Sequence, residues 1–303
     1  MVEGSPGSPS CPETGPVAYL ATTFPKLSET FVQREVRGLI NAGMPIELRT
    51  IWGGGGVFEG NPILKFSMWE LVGVPFWLCY WLVFRPRVVF KFLGYLFRRP
   101  SDYLNAQEMW LGAAYGLLKA RRLEKSEVRK MHAAWATLTA TAALLIQRLT
   151  GIPFSSGAHA YDIFVSNGDG LLPEKVEAAT FIQSSNQTAR EELAARFPEC
   201  VDKLFCVRRC LENFPEFSPR PPKNPQKLSM LSVGRLVPKK GYHRLVDLIA
   251  VANQRGLEWS LKIVGDGPDL KPIRQEISAR KLENRVFLLV ASDYSRVEEY
   301  YRS

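Results

Sequence analysis

Two stretches of the sequence combine an apolar run of strand length with a glycine turn directly after it. Residues 231–241 read LSVGRLVPKKG, and residues 261–268 read LKIVGDGP. A strand that ends in glycine lets backbone N–H groups approach an anion, so such turns are typical of phosphate sites in α/β proteins. Arg235 and Lys240 stand on the first turn, where two cations can neutralise a diphosphate. The pattern predicts an α/β sheet whose strand ends bind a phosphorylated ligand.

The alternation of strands and helices occurs on both sides of a proline-rich segment. Residues 213–226 contain five prolines, which predicts a linker between two domains. Residues 16–212 predict a first domain, interrupted by a helical insertion at about residues 61–123, and residues 227–303 predict a second. The predicted fold class is α/β, with two Rossmann-like doubly wound domains that face a cleft. The second domain is expected to be incomplete, because the sequence stops soon after its second glycine turn.

The composition excludes several classes of protein. Residues 1–15 are rich in proline, glycine and serine and have no apolar core, which predicts a disordered leader rather than a signal peptide. The five cysteines form no Cys-x-x-Cys pair. Cys206 and Cys210 have a spacing that could share a metal, but no histidine lies near them in sequence. Idle thiols in a reducing cytoplasm are the favoured interpretation.

The net charge of +9 is concentrated in residues 85–130, which hold eleven Lys/Arg against four Asp/Glu. Just before this region, residues 66–84 form an apolar run that Glu70, Gly73 and Pro75 interrupt. The uninterrupted part is too short for a transmembrane helix of ~20 residues. Two interpretations stay open: a buried helix, which we favour, and an interfacial segment that dips into a bilayer beside a basic patch. Nucleic-acid binding is disfavoured, because the basic excess lies in aromatic helices rather than in a known reading motif.

Four segments taken together resemble the family-4 glycosyltransferases with the GT-B fold. They are TTFPKLSETFVQREVRGLINAG (residues 22–43), MHAAW followed by GIPFSSGAHAYDIF (within residues 131–164), SVGRLVPKKG and LKIVGDGP. Each motif alone is weak, whereas four in the right order are a strong signal. Within the family, the likeness is to bacterial enzymes that build exopolysaccharides or cell-surface glycans. The resemblance implies transfer of a hexose from a nucleotide-diphosphate sugar to a lipid-linked or polysaccharide acceptor, with retention and without a metal or other cofactor.

The resemblance also implies roles for individual residues. Arg235 and Lys240 match the pair that holds the diphosphate, where they stabilise the leaving group as its bond to the sugar breaks. His159 matches the histidine that hydrogen-bonds the donor sugar, so these three residues are implied to be catalytic. The residues implied to bind the donor nucleotide are Gly234, Arg235, Lys240, Gly265, Asp266 and Gly267. The residues implied to lie near the acceptor and the phosphates are Phe24, Lys26, Ser28 and Glu29.

The residues themselves leave a second interpretation open at each place. Arg235 and Lys240 can be ordinary surface cations, and residues 265–268 also suit a helix entry that needs no ligand. His159 stands in a Gly-Ala-His-Ala turn after a strand, so it is expected to be more exposed than a core histidine, which favours the ligand role. His132 is expected to follow a strand and to be a structural or cleft-lining residue.

The end of the sequence leaves two functional hypotheses open. The family places two glutamates, separated by seven residues, beyond the position of Arg302, and this sequence has no residues there. The chain is therefore interpreted either as a truncated hexosyltransferase, whose own activity is in doubt, or as a non-catalytic module that binds nucleotide sugars. The basic residues 85–130 are expected to attract anionic lipid or the acceptor's pyrophosphate at the inner face of the cytoplasmic membrane.

Overall fold

The computed structural model describes residues 15–26, 29–98, 102–165, 169–209, 227–254, 258–290 and 300–301. Its internal contacts divide the chain into two compact units, Met1–Asn213 and Phe214–Ser303. The predicted linker and, apart from Gly15, the predicted leader lie outside the described residues. Ser28 and Cys210 also lie outside them.

The N-terminal unit is built on one sheet. Its strands are β1 (Val17–Phe24), β2 (Ile46–Gly54), β3 (Gly56–Phe58), β4 (Asn61–Lys65), β5 (Lys130–Ala133), β6 (Phe154–Gly157), β7 (Ile182–Ser184) and β8 (Leu204–Cys206). The strand order is β3-β4-β2-β1-β5-β6-β7-β8. Neighbouring strands are parallel except β3 and β4, which form an antiparallel hairpin. The carboxyl ends of β1, β5, β6 and β7 therefore meet at one edge of the sheet.

Helices cover this sheet. They are α1 (Thr30–Asn41), α2 (Val74–Phe84), α3 (Pro86–Arg98), α4 (Tyr103–Glu124), α5 (Leu138–Thr150), α6 (Ala160–Phe164), α7 (Leu172–Ala178) and α8 (Gln187–Arg196), with 3₁₀ turns at Met68–Gly73 and Pro198–Lys203. Helix α5 is apolar or small on nearly all faces and is almost wholly buried. Helix α4 packs closely against α5 at Gly112, since a Cβ there would lie only 2.6 Å from the Leu138 carbonyl oxygen.

The start of the predicted helical insertion is corrected by the structure. Residues 61–65 form strand β4, and the helical part begins only at Met68. Phe58 pairs with Asn61, so only Glu59 and Gly60 connect β3 to β4. Both connecting residues have positive φ, 47° and 75°, which is the backbone that a tight two-residue hairpin requires. In the described part of the chain, no helix is both long enough and apolar enough to cross a membrane.

The C-terminal unit repeats the alternation of strand and helix. Its elements are β9 (Lys227–Val233), a 3₁₀ turn (Pro238–Lys240), α9 (Tyr242–Gln254), β10 (Glu258–Val264), α10 (Leu270–Ala279) and β11 (Val286–Leu289). The three strands are parallel in the order β11-β10-β9. Its own core includes Leu236, Val246, Ile263 and Ile273, each fully or almost fully buried. The predicted α/β fold class is confirmed.

Candidate functional site

In the C-terminal unit, two glycine turns lie side by side at the carboxyl ends of β9 and β10. The backbone N–H of Gly234 donates to the Val264 carbonyl at 3.0 Å, and that of Leu236 donates to the Asp266 carbonyl at 2.9 Å. The N–H of Asp269 donates back to the Leu236 carbonyl at 3.1 Å. Because hydrogen bonds run in both directions between the turns, the two turns form one connected backbone platform.

Gly265 and Gly267 permit this close approach. A Cβ at Gly265 would lie 1.9 Å from the Gly234 carbonyl oxygen, and a Cβ at Gly267 would lie 2.3 Å from the Leu236 carbonyl oxygen. Gly267 also has a φ of +154°, a backbone angle that residues with a side chain rarely adopt. The packing of the two turns is therefore sufficient reason for glycine at both positions.

The predicted cations stand on this platform. Arg235 and Lys240 are both exposed, whereas Leu236 between them is fully buried and anchors the turn in the core. Among the described residues, the structure records no ion pair for Arg235 or for Lys240. Asp266 is exposed as well, and its Oδ1 accepts a hydrogen bond from the Gly267 N–H at 2.7 Å. The six residues predicted to bind the donor are thus brought to one edge of this sheet, where the cations are available to an anion.

In the N-terminal unit, His159 follows β6 and precedes α6. It is only 8% exposed, so the expectation of an exposed histidine was wrong. The reason is aromatic packing: its ring meets the rings of Trp135 and Phe31 edge to face, with centroids 4.9 and 5.8 Å apart. Its backbone N–H also donates to Asp162 Oδ2 at 3.1 Å, which closes the first turn of α6.

Burial determines the charge of His159. Desolvation, with smaller contributions from Arg209 and His132, lowers its pKa to about 3, although a hydrogen bond to the Ala134 carbonyl acts in the opposite direction. The imidazole is therefore neutral at pH 7. Its Nδ1 is buried and has no hydrogen-bond partner among the described residues. A neutral imidazole that donates through one nitrogen presents the other as an acceptor, so Nδ1 can accept a hydrogen bond from a hydroxyl group.

A row of polar side chains crosses the same part of the sheet, with His132 and Ser155 buried and Glu35 and Gln183 half-buried. His132 Nδ1 lies 2.8 Å from Ser155 Oγ, and its Nε2 lies 3.4 Å from Glu35 Oε1. Gln183 Nε2 donates to the same Glu35 oxygen at 2.9 Å. His132 lies inside β5, paired with Tyr19 and Ser155 on the neighbouring strands, so the prediction that it follows a strand was wrong. The β5 strand is longer at its carboxyl end than the apolar pattern suggested.

Burial shifts the pKa values within this row in opposite directions. It lowers the pKa of His132 to about 4 and raises that of Glu35. The guanidinium of Arg209 lies 3.4 Å from the centroid of the Phe31 ring and partly offsets the rise at Glu35. The sequence reasoning did not select Glu35, although one signal was present. In α1 this glutamate falls on the apolar face, beside the buried residues Val32 and Val36.

The structure separates the residues predicted to lie near the acceptor. Phe24 is the last residue of β1 and is 2% exposed, with its ring 4.8 Å from that of Phe58. Its side chain belongs to the core and lies at the end of a strand rather than in the following loop, while its place near the acceptor stays a prediction. Lys26 Nζ donates to Glu29 Oε1 at 2.6 Å, and the Glu29 N–H donates to the Lys26 carbonyl at 2.9 Å. These two residues form a compact turn before α1, while Ser28 lies outside the described residues.

A second buried charged cluster was not predicted from the sequence. The side chains of Lys175 and Asp169 have no solvent exposure and form an ion pair. Lys175 Nζ also donates to the Thr137 carbonyl at 3.0 Å, which ties α7 to the start of α5. Burial, followed by the negative charges of Asp162 and Asp169, raises the pKa of Glu108 to about 7. Burial is also the main cause that raises the pKa of Asp162 to about 6. In the described parts of both units, no group of three His, Cys, Asp or Glu side chains is arranged to hold a metal ion.

Comparison with known sequences finds similarity in the C-terminal part of the chain. Residues 213–303 match the family model described as Glycosyl transferases group 1. Over 88 residues the chain is 33% identical to WcaL of Escherichia coli (strain K12), which is assigned to colanic acid biosynthesis as a glycosyltransferase; the match covers 29% of this chain and 22% of WcaL. Over 74 residues it is 35% identical to the amylovoran biosynthesis glycosyltransferase AmsD of Erwinia amylovora, covering 24% of this chain and 20% of AmsD. The matches thus span about a fifth of these relatives' own length.

Comparison with solved structures extends over nearly the whole chain. The lipopolysaccharide outer core galactosyltransferase WaaB is similar with a TM-score of 0.59 at 14% identity, covering 95% of this chain and 71% of WaaB. Anabaena HepE, solved in complex with UDP and glucose, is similar with a TM-score of 0.56 at 14% identity, covering 91% of this chain and 69% of HepE. At these identities the likeness shows the fold. The chain has an α/β fold of the GT-B type, and its residues 213–303 are similar to the Glycosyl transferases group 1 family.

Proposed function

We propose that this chain is a hexosyltransferase that uses a nucleotide-diphosphate sugar and retains the configuration at the transferred carbon. The observation that carries the proposal is the platform of two hydrogen-bonded turns with Arg235 and Lys240 exposed on it. HepE, which shares the fold, was solved with UDP and glucose. WcaL and AmsD are named for the biosynthesis of colanic acid and of amylovoran, which supports a lipid-linked or polysaccharide acceptor.

The chemistry assigned to the platform is stabilisation of a leaving group. When the bond between the sugar's anomeric carbon and the phosphate oxygen breaks, the departing nucleoside diphosphate gains negative charge. A guanidinium can hold two phosphate oxygens at once, and an ammonium supplies a compact positive charge beside them. Because both cations are placed by a turn that is already folded, little reorganisation is needed as the charge develops. Loss of one such group costs about 10²–10³-fold in turnover in other enzymes.

Residues of the N-terminal unit are assigned to the sugar and the acceptor. His159 is proposed to accept a hydrogen bond from a hydroxyl of the donor sugar through the unpartnered Nδ1. Lys26 and Glu29, with Ser28, are proposed to lie near the acceptor and the phosphates. A lipid-linked acceptor would place the protein at the inner face of the cytoplasmic membrane.

Donor binding tests this assignment. UDP- and GDP-sugars are titrated by calorimetry into wild-type protein, Arg235→Ala and the control Lys239→Ala. Lys239 is an exposed cation on the 3₁₀ turn that also contains Lys240, so both variants remove one positive charge from the segment between β9 and α9. Hydrogen bonds to charged groups contribute about 1.5–3 kcal/mol, so Arg235→Ala should weaken binding by roughly 10- to 100-fold. Lys239→Ala should bind nearly as well as the wild type.

Two results would count against the proposal. Equal donor affinity in Arg235→Ala and Lys239→Ala would remove the role of the arginine. In the second, the wild type binds the donor through Arg235 but releases no nucleoside diphosphate when glycan or lipid acceptors are added. That result would favour the non-catalytic nucleotide-sugar module instead.

A further inference from the structure

Helix α2 is apolar on two opposite sides. On its inner side, Trp77 and Leu78 pack against the core, and the indole of Trp81 is buried and donates to the Leu117 carbonyl at 3.0 Å. On its outer side, Phe76 is 67% exposed and Val83 is 75% exposed. The helix contains no charged residue. A helix that is apolar on all sides is stable when both sides are covered, and no described part of this chain covers the outer side.

The exposed apolar surface continues on both sides of α2. In the preceding 3₁₀ turn, Trp69 is 85% exposed and Val72 is 78% exposed. Val72, Phe76 and Val83 are four and seven residues apart, which places them along one helical face. Scattered single apolar residues are normal on protein surfaces, whereas a continuous group of large ones marks an interaction site.

Helix α3 adds positive charge to this surface. Its inner side is formed by Val89, Phe92 and Leu96, which are buried. Its outer side combines exposed aromatic rings with cations; these residues are Phe90, Phe97, Arg87, Lys91 and Arg98. From Leu71 to Ser101 the sequence contains no Asp or Glu. Aromatic side chains interleaved with Lys and Arg are typical of helices that lie in the interface of an anionic membrane.

A pocket opens between α3 and the neighbouring helices. Its volume is about 240 Å³, and three cationic side chains line it: Arg87, Lys91 and Arg148. Its walls include Phe92 and Leu144, and one carboxylate, Glu174, also lines it. Three cations around a partly apolar hollow suit a phosphodiester that carries apolar chains. The same helix α3 thus forms part of the pocket and part of the exposed aromatic surface.

We propose that the outer sides of α2 and α3, here called the α2–α3 surface, dock on a bilayer that contains anionic phospholipid. Phe76, Val83 and Trp69 enter the boundary between headgroups and acyl chains, while Lys91 and Arg148 hold a lipid phosphate in the pocket. Every charged residue from Leu71 to Ser101 is a lysine or an arginine, and this positive charge is complementary to an anionic lipid surface. Docking requires no turnover, so this inference goes beyond the proposed transferase function and is tested without it.

Vesicle sedimentation tests the apolar contact. The 303-residue protein is mixed with phosphatidylcholine vesicles that contain or lack phosphatidylglycerol, and Phe76→Ser/Val83→Ser is compared with Leu248→Ser. Leu248 is 64% exposed on α9 in the C-terminal unit, so the control variant removes one large exposed apolar side chain that is not part of the α2–α3 surface. We expect tenfold or greater loss of binding for the double variant and none for the control. All replaced side chains are exposed, and circular dichroism confirms folding.

The charge contact is tested by Lys91→Gln/Arg148→Gln against Arg244→Gln, an exposed arginine on α9. We expect the double variant to lose about tenfold of the preference for phosphatidylglycerol, and Arg244→Gln to keep it. In the wild type, quenching of Trp69 fluorescence by brominated lipid should exceed that in Trp69→Phe. Binding that is equal for all variants, or equal for both vesicle types, would overturn the proposal. Dimerisation that Phe76→Ser abolishes, without vesicle binding, would overturn it in favour of a second copy of the chain.

Discussion

Replacing Lys175 with methionine should lower the free energy of unfolding of the N-terminal unit by about 3–5 kcal/mol. Lys175 and Asp169 are buried without solvent exposure, and Lys175 Nζ donates to the Asp169 carboxylate and to the Thr137 carbonyl. Methionine keeps the apolar stem but removes every donor. The Asp169 carboxylate is then buried without a counter-charge, and a buried pair that loses one partner is destabilised by the full desolvation of the other.

Two further variants separate this cause from a general packing defect. Lys175→Met/Asp169→Asn should recover most of the loss, because no charge remains buried. The asparagine Oδ1 can also keep the hydrogen bond that Asp169 Oδ1 accepts from the Leu171 N–H at 2.8 Å. Lys203→Met is the matched control: its Nζ also donates to a backbone carbonyl, that of Glu177, but nearer the surface. The control should change stability by less than about 1 kcal/mol.

Urea unfolding followed by tryptophan fluorescence measures these changes. Six of the seven tryptophans precede residue 213, and only Trp259 follows it, so the signal reports mainly on the N-terminal unit. If Lys175→Met were as stable as Lys203→Met, or if the double variant were as unstable as Lys175→Met alone, the assumption of an uncompensated buried charge would be wrong.

Two other substitutions test the charges and the backbone. Burial, and then the charge of Asp162, raises the pKa of Glu108 to about 7. The folded state therefore holds this proton more tightly than the unfolded state, and stability falls as the pH rises from about 4.5 to 7. After allowance for solvent screening, Glu108→Gln should add roughly 1 kcal/mol to the free energy of unfolding at pH 8 and little at pH 4, as measured by urea unfolding. Gly265→Ala places a Cβ 1.9 Å from the Gly234 carbonyl oxygen and should destabilise the C-terminal unit by more than about 2 kcal/mol, as measured by amide hydrogen exchange in β9 and β10. Gly38→Ala, in open space on α1, should be neutral or stabilising by up to about 1 kcal/mol, and equal effects of the two alanines would contradict the packing argument.

The strand-and-turn framework of both units could be predicted because it depends on local signals. An apolar run that ends in glycine fixes where a strand stops, and the platform of the C-terminal unit follows from two such stops on adjacent parallel strands. The hairpin of β3 and β4 was missed because its strands are only three and five residues long and lie beside a helical stretch. Its signal was the Glu-Gly dipeptide at residues 59–60, which is weaker than the usual Asn-Gly or Asp-Gly.

The row of polar side chains around His132 could not be read from the sequence, because its contacts join distant segments. Glu35 and Gln183 are 148 positions apart, and they meet only because the fold brings α1 beside β7. His159 shows the same limit. Its local turn predicted exposure, but Phe31 and Trp135, which bury it, come from other elements of the unit.

Burial, more than residue type, decides what each group contributes under the proposed function. Histidine is an ionisable residue type, yet burial lowers the pKa of the His159 ring to about 3, so the ring carries no charge at pH 7. It can therefore accept a hydrogen bond from a hydroxyl but cannot neutralise a phosphate. Arg235 and Lys240 stand exposed on their turn and are the residues available for that charge. Since His159 titrates far below neutrality, it adds no pH dependence to donor binding between about pH 5 and 8, and a histidine-like titration in that range would have to come from another group.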